Sequence, residues 1–322
     1  MKKVLIVICI ISMGFPEILF CQENTYLTIG TGDITGLYYI TGGAIARIVN
    51  SQSKETGLRL NAQSTSGSVY NIENVASGTI ELGIVQSDRL YQAVHGNHVW
   101  EGKARQNLRA VFGIHPEAVT LIASEISGIT CISHLKGKHI NLGHSNSGQR
   151  QNAIHALENQ GLNYEVDLTS EGYEDYKVPE LIHSNQLDAA FITAGHPTDY
   201  FNAIFSGKTK VLFIPMMNID SILQKYPYYI KTSIPLSKYP SHSNKTDVMT
   251  FGVKSILVTS ATINERDIYI ITKEILTRIK KFKKFHPVYA NLTPGDMING
   301  LTAPIHPGAL KYYKEKKLVK KP

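Results

Sequence analysis

Three polar, glycine-rich turns carry the most chemically versatile side chains of the sequence. The first is Gly30 to Gly36, the second Ser66-Gly67-Ser68 with Asn71, and the third Gly143-His144-Ser145-Asn146-Ser147-Gly148. Each follows an apolar run and opens a helical pattern. A glycine or hydroxyl turn at a helix start gathers free backbone N–H groups and the positive end of the helix dipole, which suits an anion. Two sharper chemistries compete with that reading. As a dinucleotide fingerprint the first turn is G-x-G-x-x-x-G, one residue too long. The acid needed after the second strand for the ribose is replaced by Gln63-Ser64. The third turn resembles a G-x-S-x-G nucleophile elbow with Ser147 in place of the last glycine, so a secreted serine hydrolase using Ser145 or Ser147 is the alternative. His196 and Asp199 are its conceivable partners, but the usual order of serine, acid and histidine would make Asp188 the acid. The histidines show no metal-ligand spacing, His95 and His98 being a pair without a carboxylate neighbour, and no cofactor or metal is expected.

The elements that position these turns are repeated βα units. Tyr26 to Ile29 alternates as a half-buried strand, and Leu37, Ile40 or Thr41, Ala44 and Ile48 recur at helical spacing after the first turn. Leu58 to Gln63 is a second strand, with a helix from Val69 to Gly78. Ile80 to Val85 is a third, and Ser87 or Asp88 caps a helix from Arg89 to Val94. Strand–helix repetition implies a parallel sheet with ligands at the strands' carboxyl ends. Arg109 to Ile114 and Ala118 to Ala123 read as two apolar strands separated by His115-Pro116-Glu117, carrying the chain to a second lobe. There His139 to Leu142, Val166 to Leu168, Leu187 to Thr193 and Val211 to Ile214 are strands. Helices are expected at Ala153–Leu157, Val178–His183 and after Pro197. Tyr226 to Thr246 reads as an irregular loop. Val248 to Val253 and Ile256 to Thr259 return to the first lobe. Asn264 then caps a long helix whose apolar face is Ile268, Ile271, Ile275 and Ile279, and a short helix from Leu310 to Glu315 follows Ile305-His306-Pro307-Gly308.

Composition bounds the class. The chain has 322 residues, 43% hydrophobic and 18% charged, enough to bury a large core in two domains. The formal charge of +7 comes from late lysine runs without interleaved aromatics, so nucleic acid is set aside. Lys2-Lys3, the apolar run Val4 to Met13, and Gly14 with Pro16 form a secretory signal peptide over residues 1–21, so the protein is expected in the periplasm. A lipid anchor at Cys21 is disfavoured by Phe20. Residues 24–115 with 252–322 form one lobe and residues 116–251 the other. The fold class expected is α/β, two lobes joined by hinge strands around a ligand cleft, with closure around a small ligand.

The run GTGDITGLYYITGGAIARIVN resembles the opening of the TAXI family, the solute-binding proteins of tripartite ATP-independent periplasmic (TRAP) transporters. STSGSVYNIENVASG, ELGIVQSD, HPEAVTLIA, LKGKHINLGHSNSGQRQNA, LDAAFITAGHP and IHPGALKYYKE extend the match in order over nearly the whole mature chain. Ile40 stands where that family usually has proline, and His144-Ser145-Asn146 replaces a proline-glycine start. The resemblance implies a type II periplasmic binding protein, not an enzyme, acting as a monomer. It implies capture of a small organic anion, glutamate or a related dicarboxylate, and delivery to membrane permease subunits. The contacts it implies are Thr31, Gly32, Tyr38 and Tyr39, then Ser66, Gly67, Ser68 and Asn71, then Gln86 and Asp88. From the second lobe it implies Ser145, Ser147, Gly148 and Gln149, with Ala194, Gly195 and His196. Asp88 either binds an ammonium group or caps its helix. A surface protein that kept the fold without transport is a further alternative.

Overall fold

The computed structural model describes residues 24–239 and 244–319. The expected signal peptide and Cys21 lie outside the described residues, as does the segment 240–243 within the expected loop.

The first lobe is built as alternation and helical spacing require. Strand β1 (Thr25–Gly30) leads through the glycine turn to α1 (Leu37–Asn50), whose buried face carries Ala44, Ile45, Ile48 and Val49. After α2 (Ser53–Thr56), β2 (Leu58–Gln63) buries Leu58 and Leu60 while exposing Arg59 and Gln63. Helix α3 (Ser68–Ser77), β3 (Leu82–Gln86) and α4 (Ser87–His95) complete the unit. β1 lies parallel to both β2 and β3, so all three strands end at the same edge and their turns face one place.

Strand β4 (Leu108–Ser124) then crosses between the lobes as one continuous strand. The expected break at His115-Pro116-Glu117 is absent. Pro116 cannot donate to a ladder, but it pairs beside Lys254, where the register with the returning strand slips, so the irregularity is absorbed there. In the second lobe β5 (His139–Asn141), α5 (Gly148–Glu158), β6 (Thr169–Glu171), α6 (Val178–His183), β7 (Ala189–Ala194), α7 (Asp199–Phe205) and β8 (Val211–Ile214) follow. β6 starts after the expected Val166–Leu168 strand, because its partner β5 pairs with Thr169 to Glu171. After α8 (Ile219–Lys225), β9 (Ile230–Ile234) occupies part of the expected loop, since it pairs with the first half of β10 (Val248–Ser260).

β10 is a single strand that returns to the first lobe, antiparallel to β3 and β4. Helix α9 (Glu265–Thr277) is capped by the Asn264 side chain, as expected. Arg278 leaves helical geometry, so Ile279 belongs to a separate turn, α10 (Ile279–Phe282). Helices α11 (Pro294–Ile298) and α12 (Pro307–Glu315) close the lobe.

The described strands form one ten-stranded sheet in the order β2-β1-β3-β10-β4-β7-β5-β6, with β8 and β9 as side branches on β4 and β10. The result is a mixed α/β, two-lobed binding-protein architecture. Four apolar clusters fill it. One gathers Ile29, Ile45, Phe112, Ile271 and Tyr313, and another Ile72, Val85, Trp100 and Val258, all in the first lobe. The second lobe is packed around Val119, Leu142, Phe191 and Tyr229, and around Ile122, Phe201, Phe213 and Tyr239. β4 and β10 are the strands that run through both.

Candidate functional site

The helix starts converge on one cavity. The N-termini of α1, α3 and α5, entered through Gly36, Gly67 and Ser147, bring residues of both lobes around a space of about 130 Å³. That is room for a small solute or several waters. Ser147 caps α5 by accepting from Arg150 N at 3.3 Å. Gly67 has φ +105°, a conformation that favours glycine, and it lies against Ser147 of the other lobe. Gly148 is closer still, because a methyl group there would fall 2.0 Å from Gln86 Oε1.

At one end of the cavity the Tyr38 hydroxyl donates to Glu117 Oε2 at 3.0 Å. Glu117 is 2% exposed, and burial, with Asp88 adding repulsion, pushes its carboxyl well above the usual range. Burial and the neighbouring Glu117 likewise push the Tyr38 phenol up. Gln86, 4% exposed, helps hold Glu117, and its own Oε1 has no partner. At the other end Gln149 Nε2 donates to Asp175 Oδ1 at 2.9 Å, while Gln149 Oε1 accepts from Thr193 N at 3.0 Å. Asp175 is pushed up to about 6, by burial first and then by the charges of Asp33 and Glu174, against the favourable bond from Gln149. The Tyr200 hydroxyl there is buried and unpartnered.

Of the residues expected at the site, Gly32, Tyr38, Ser66, Gly67, Ser68, Gln86, Ser147, Gly148, Gln149 and Ala194 line the cavity. The others do not line it, each for a visible reason. Thr31 is buried with its hydroxyl on Gln63 O at 2.6 Å. Tyr39 follows Tyr38 on the helix and so projects from another face. Asn71 is a strap, donating to Thr31 O at 2.7 Å and Ile84 O at 2.8 Å. Ser145 is exposed on the turn. Gly195 is wedged among Leu37, Val288 and His115. His196 stacks on Phe201, shares hydrogen bonds with Thr120 and Tyr239, and is held neutral by burial, which lowers it to about 3.

Asp88 does not line the cavity; it stands in the first turn of α4, one residue past its start, where its Oδ1 accepts from Arg89 N at 2.7 Å. It pairs with the buried Arg89 at 3.2 Å and accepts from Asn152 Nδ2 of the other lobe at 2.8 Å. Together with Gln92 donating to the Tyr228 hydroxyl at 2.9 Å and Val69 N donating to Asn146 O at 3.3 Å, it fastens the lobes in a closed arrangement.

Sequence reasoning missed Glu117, Asp175, Asp33 and Tyr200 as lining residues. Glu117 had a readable signal, an acid flanked by the apolar runs now joined in β4. Asp175 sits in a segment without periodicity, and Tyr200 in the helix expected after Pro197, where nothing in the sequence marked its face as lining a site. The serine-hydrolase arrangement is absent. The Ser147 hydroxyl donates to His144 O at 2.7 Å, in its own turn, and the His196 ring is engaged elsewhere. A larger cavity, about 720 Å³, is lined by Pro116 and Ala118 of β4 together with Tyr228, Lys254 and Leu301, and none of the three turns reaches it. Among the described residues no three metal-ligating side chains converge.

Residues 29–316 match the NMT1-like family, and the chain belongs to it. Its fold is similar to that of a solved protein from Bordetella bronchiseptica RB50, 13% identical over 91% of this chain and 98% of that one, with a TM-score of 0.56. It is also similar to PhnD1 from Prochlorococcus marinus (MIT 9301) in complex with methylphosphonate, 10% identical over 91% and 99%, with a TM-score of 0.53. A binding protein component of an ABC phosphonate transporter from Pseudomonas aeruginosa is 10% identical over 83% and 79%, with a TM-score of 0.51. At these identities the likeness carries the fold alone.

Proposed function

We propose that this member of the NMT1-like family is an extracytoplasmic solute-binding protein, which captures a small molecule between its lobes and hands it to a membrane transporter. The observation that carries the reading is a single cavity walled by both lobes, at which the N-termini of α1, α3 and α5 meet. Three helix starts supply N–H groups and partial positive charge for an anionic group on the solute, and Tyr38, Tyr173 and Tyr200 wall it from water. The lobes correspond to residues 24–115 with 252–322 and to residues 116–251, hinged at β4 and β10. Binding and closure are then one equilibrium.

The TAXI-like motifs favour a TRAP-type secondary permease as the partner, with delivery by a monomer exported through the N-terminal signal peptide. The PhnD1 complex and the phosphonate-transporter component, both sharing the fold, support anion capture and make an ABC-type partner the second reading. A thermal-shift screen of small acids and amino acids tests the capture itself, because a ligand that binds only the folded state raises the melting temperature. Failure of every compound, together with no small molecule released on denaturing the purified protein, refutes it.

A further inference from the structure

The charge lining the cleft separates this site from a plain anion receptor. Asp33, Glu174 and Asp175 line it, beside a Glu117 that burial holds toward its neutral form, and among the described lining residues there is no lysine or arginine. Helix starts contribute only about half a positive charge each. A ligand with two carboxylates and no cation therefore meets net repulsion.

The acids are arranged as well as numerous. Asp33 stands in the β1–α1 turn of the first lobe, its Oδ1 accepting from Thr35 N at 2.7 Å and from the Thr35 hydroxyl at 2.6 Å. Asp175 and Glu174 come from the second lobe, with His144 Nε2 3.7 Å from Glu174 Oε1. Asp33 and Asp175, one from each lobe, line the same cavity, and their charges oppose one another across it. A positive group between them relieves that opposition, so it favours closing the cleft. The Gln86 side chain is a second, independent sign. It is 4% exposed, lines the same cavity, and its Oε1 acceptor is unpartnered, so a hydrogen-bond donor is wanted there. The Tyr200 hydroxyl is a second polar atom left unpartnered in the cavity.

We propose that the cleft selects an amine-bearing solute of net charge zero or above, its ammonium group bridging Asp33 of one lobe and Asp175 of the other while its anionic group rests on the helix starts. This deepens the solute-binding reading and rests on it. A dicarboxylate, or an amino acid of net negative charge such as glutamate, is then a poor ligand, and a zwitterionic or basic amino acid a good one.

Calorimetric titration at neutral pH with glutarate, L-glutamate, L-glutamine and L-ornithine tests this. The four share a five-carbon skeleton and step the net charge from minus two to plus one. Glutamine or ornithine should bind at least tenfold more tightly than glutarate and glutamate. Asp175→Asn and Asp33→Asn should each erase that preference, with circular dichroism confirming that both variants fold. Tighter binding of glutarate or glutamate, or a preference unchanged in both variants, overturns the amine proposal and leaves solute binding standing. If none of the four binds, the molecule released on denaturation decides. A net-negative compound overturns the proposal, an amine of zero or positive charge supports it, and no compound at all overturns both readings.

Discussion

Gly148→Ala probes the closed cleft without touching either core. Alanine is a better helix former than glycine, so at the start of α5 the change should leave the second lobe's stability level or slightly raised. The added methyl, however, falls 2.0 Å from Gln86 Oε1, 2.5 Å from its Cδ and 3.2 Å from Arg89 Cγ, across the junction of the lobes. Gln86 is buried, so swinging it aside forfeits its packing at the junction. The alternative is for the lobes to part. Overpacking of this kind costs about 1–3 kcal/mol. If solute binding requires closure, that converts to a loss of about 5- to 150-fold in affinity. Titration calorimetry with the solute recovered from the native protein measures the affinity, and urea melts measure the stability. Unchanged affinity would falsify the claim that the lobes meet at Gly148 in the bound state. A parallel fall in stability and affinity would assign the effect to folding rather than closure.

Three further outcomes follow from named contacts. Asp88→Ala leaves Arg89 buried without its anion and removes the bond from Asn152, so urea melting should show a loss of about 3–5 kcal/mol. A loss below 1 kcal/mol would contradict the buried pairing. Asp175 is an acid whose folded pKa, about 6, lies above its ordinary 3.8, so its contribution is fully present below pH 3.8 and is lost as pH rises through about 6. Asp33, Glu174, His144, Gln149 and Tyr200 surround it. With its partial exposure allowed for, about 1–2 kcal/mol should vanish across that window in the solute-free protein, and Asp175→Asn should flatten the difference. Thr293 and Asp296 form a capping box at α11, away from the cleft. Thr293→Ala should cost about 1 kcal/mol in a chemical melt and leave solute affinity unchanged.

The sequence carried the architecture where one local rule decided the structure. Alternation in β1 and β2, helical spacing in α1 and α9, the Asn264 cap and glycine turns at strand ends all survive in the folded chain. It misled where pairing overrode local composition. Pro116 suggested a break that a bulge absorbs, and the Pro- and Tyr-rich segment hid β9, whose only claim to strand structure is its ladder with β10. The site was legible to the same degree. The three turns do meet at one cavity, two of them on the edge where the parallel β1 and β2 end and the third, after β5, facing them from the second lobe. Side-chain direction was not legible. Asn71 and Asp88 stand on the right turns but face a strap and the other lobe. Glu117 faces the cavity from the middle of a strand, which turn-based reasoning does not search.

The central claim is capture of a small solute by closure of two lobes, and small-angle X-ray scattering tests it most directly. The native protein should first be stripped of solute by mild unfolding and refolding, and the recovered solute then restored. The account predicts a larger radius of gyration in the stripped protein, with a return to the closed, more compact form on adding the solute. Identical scattering in the two states, with the recovered compound bound, would contradict it.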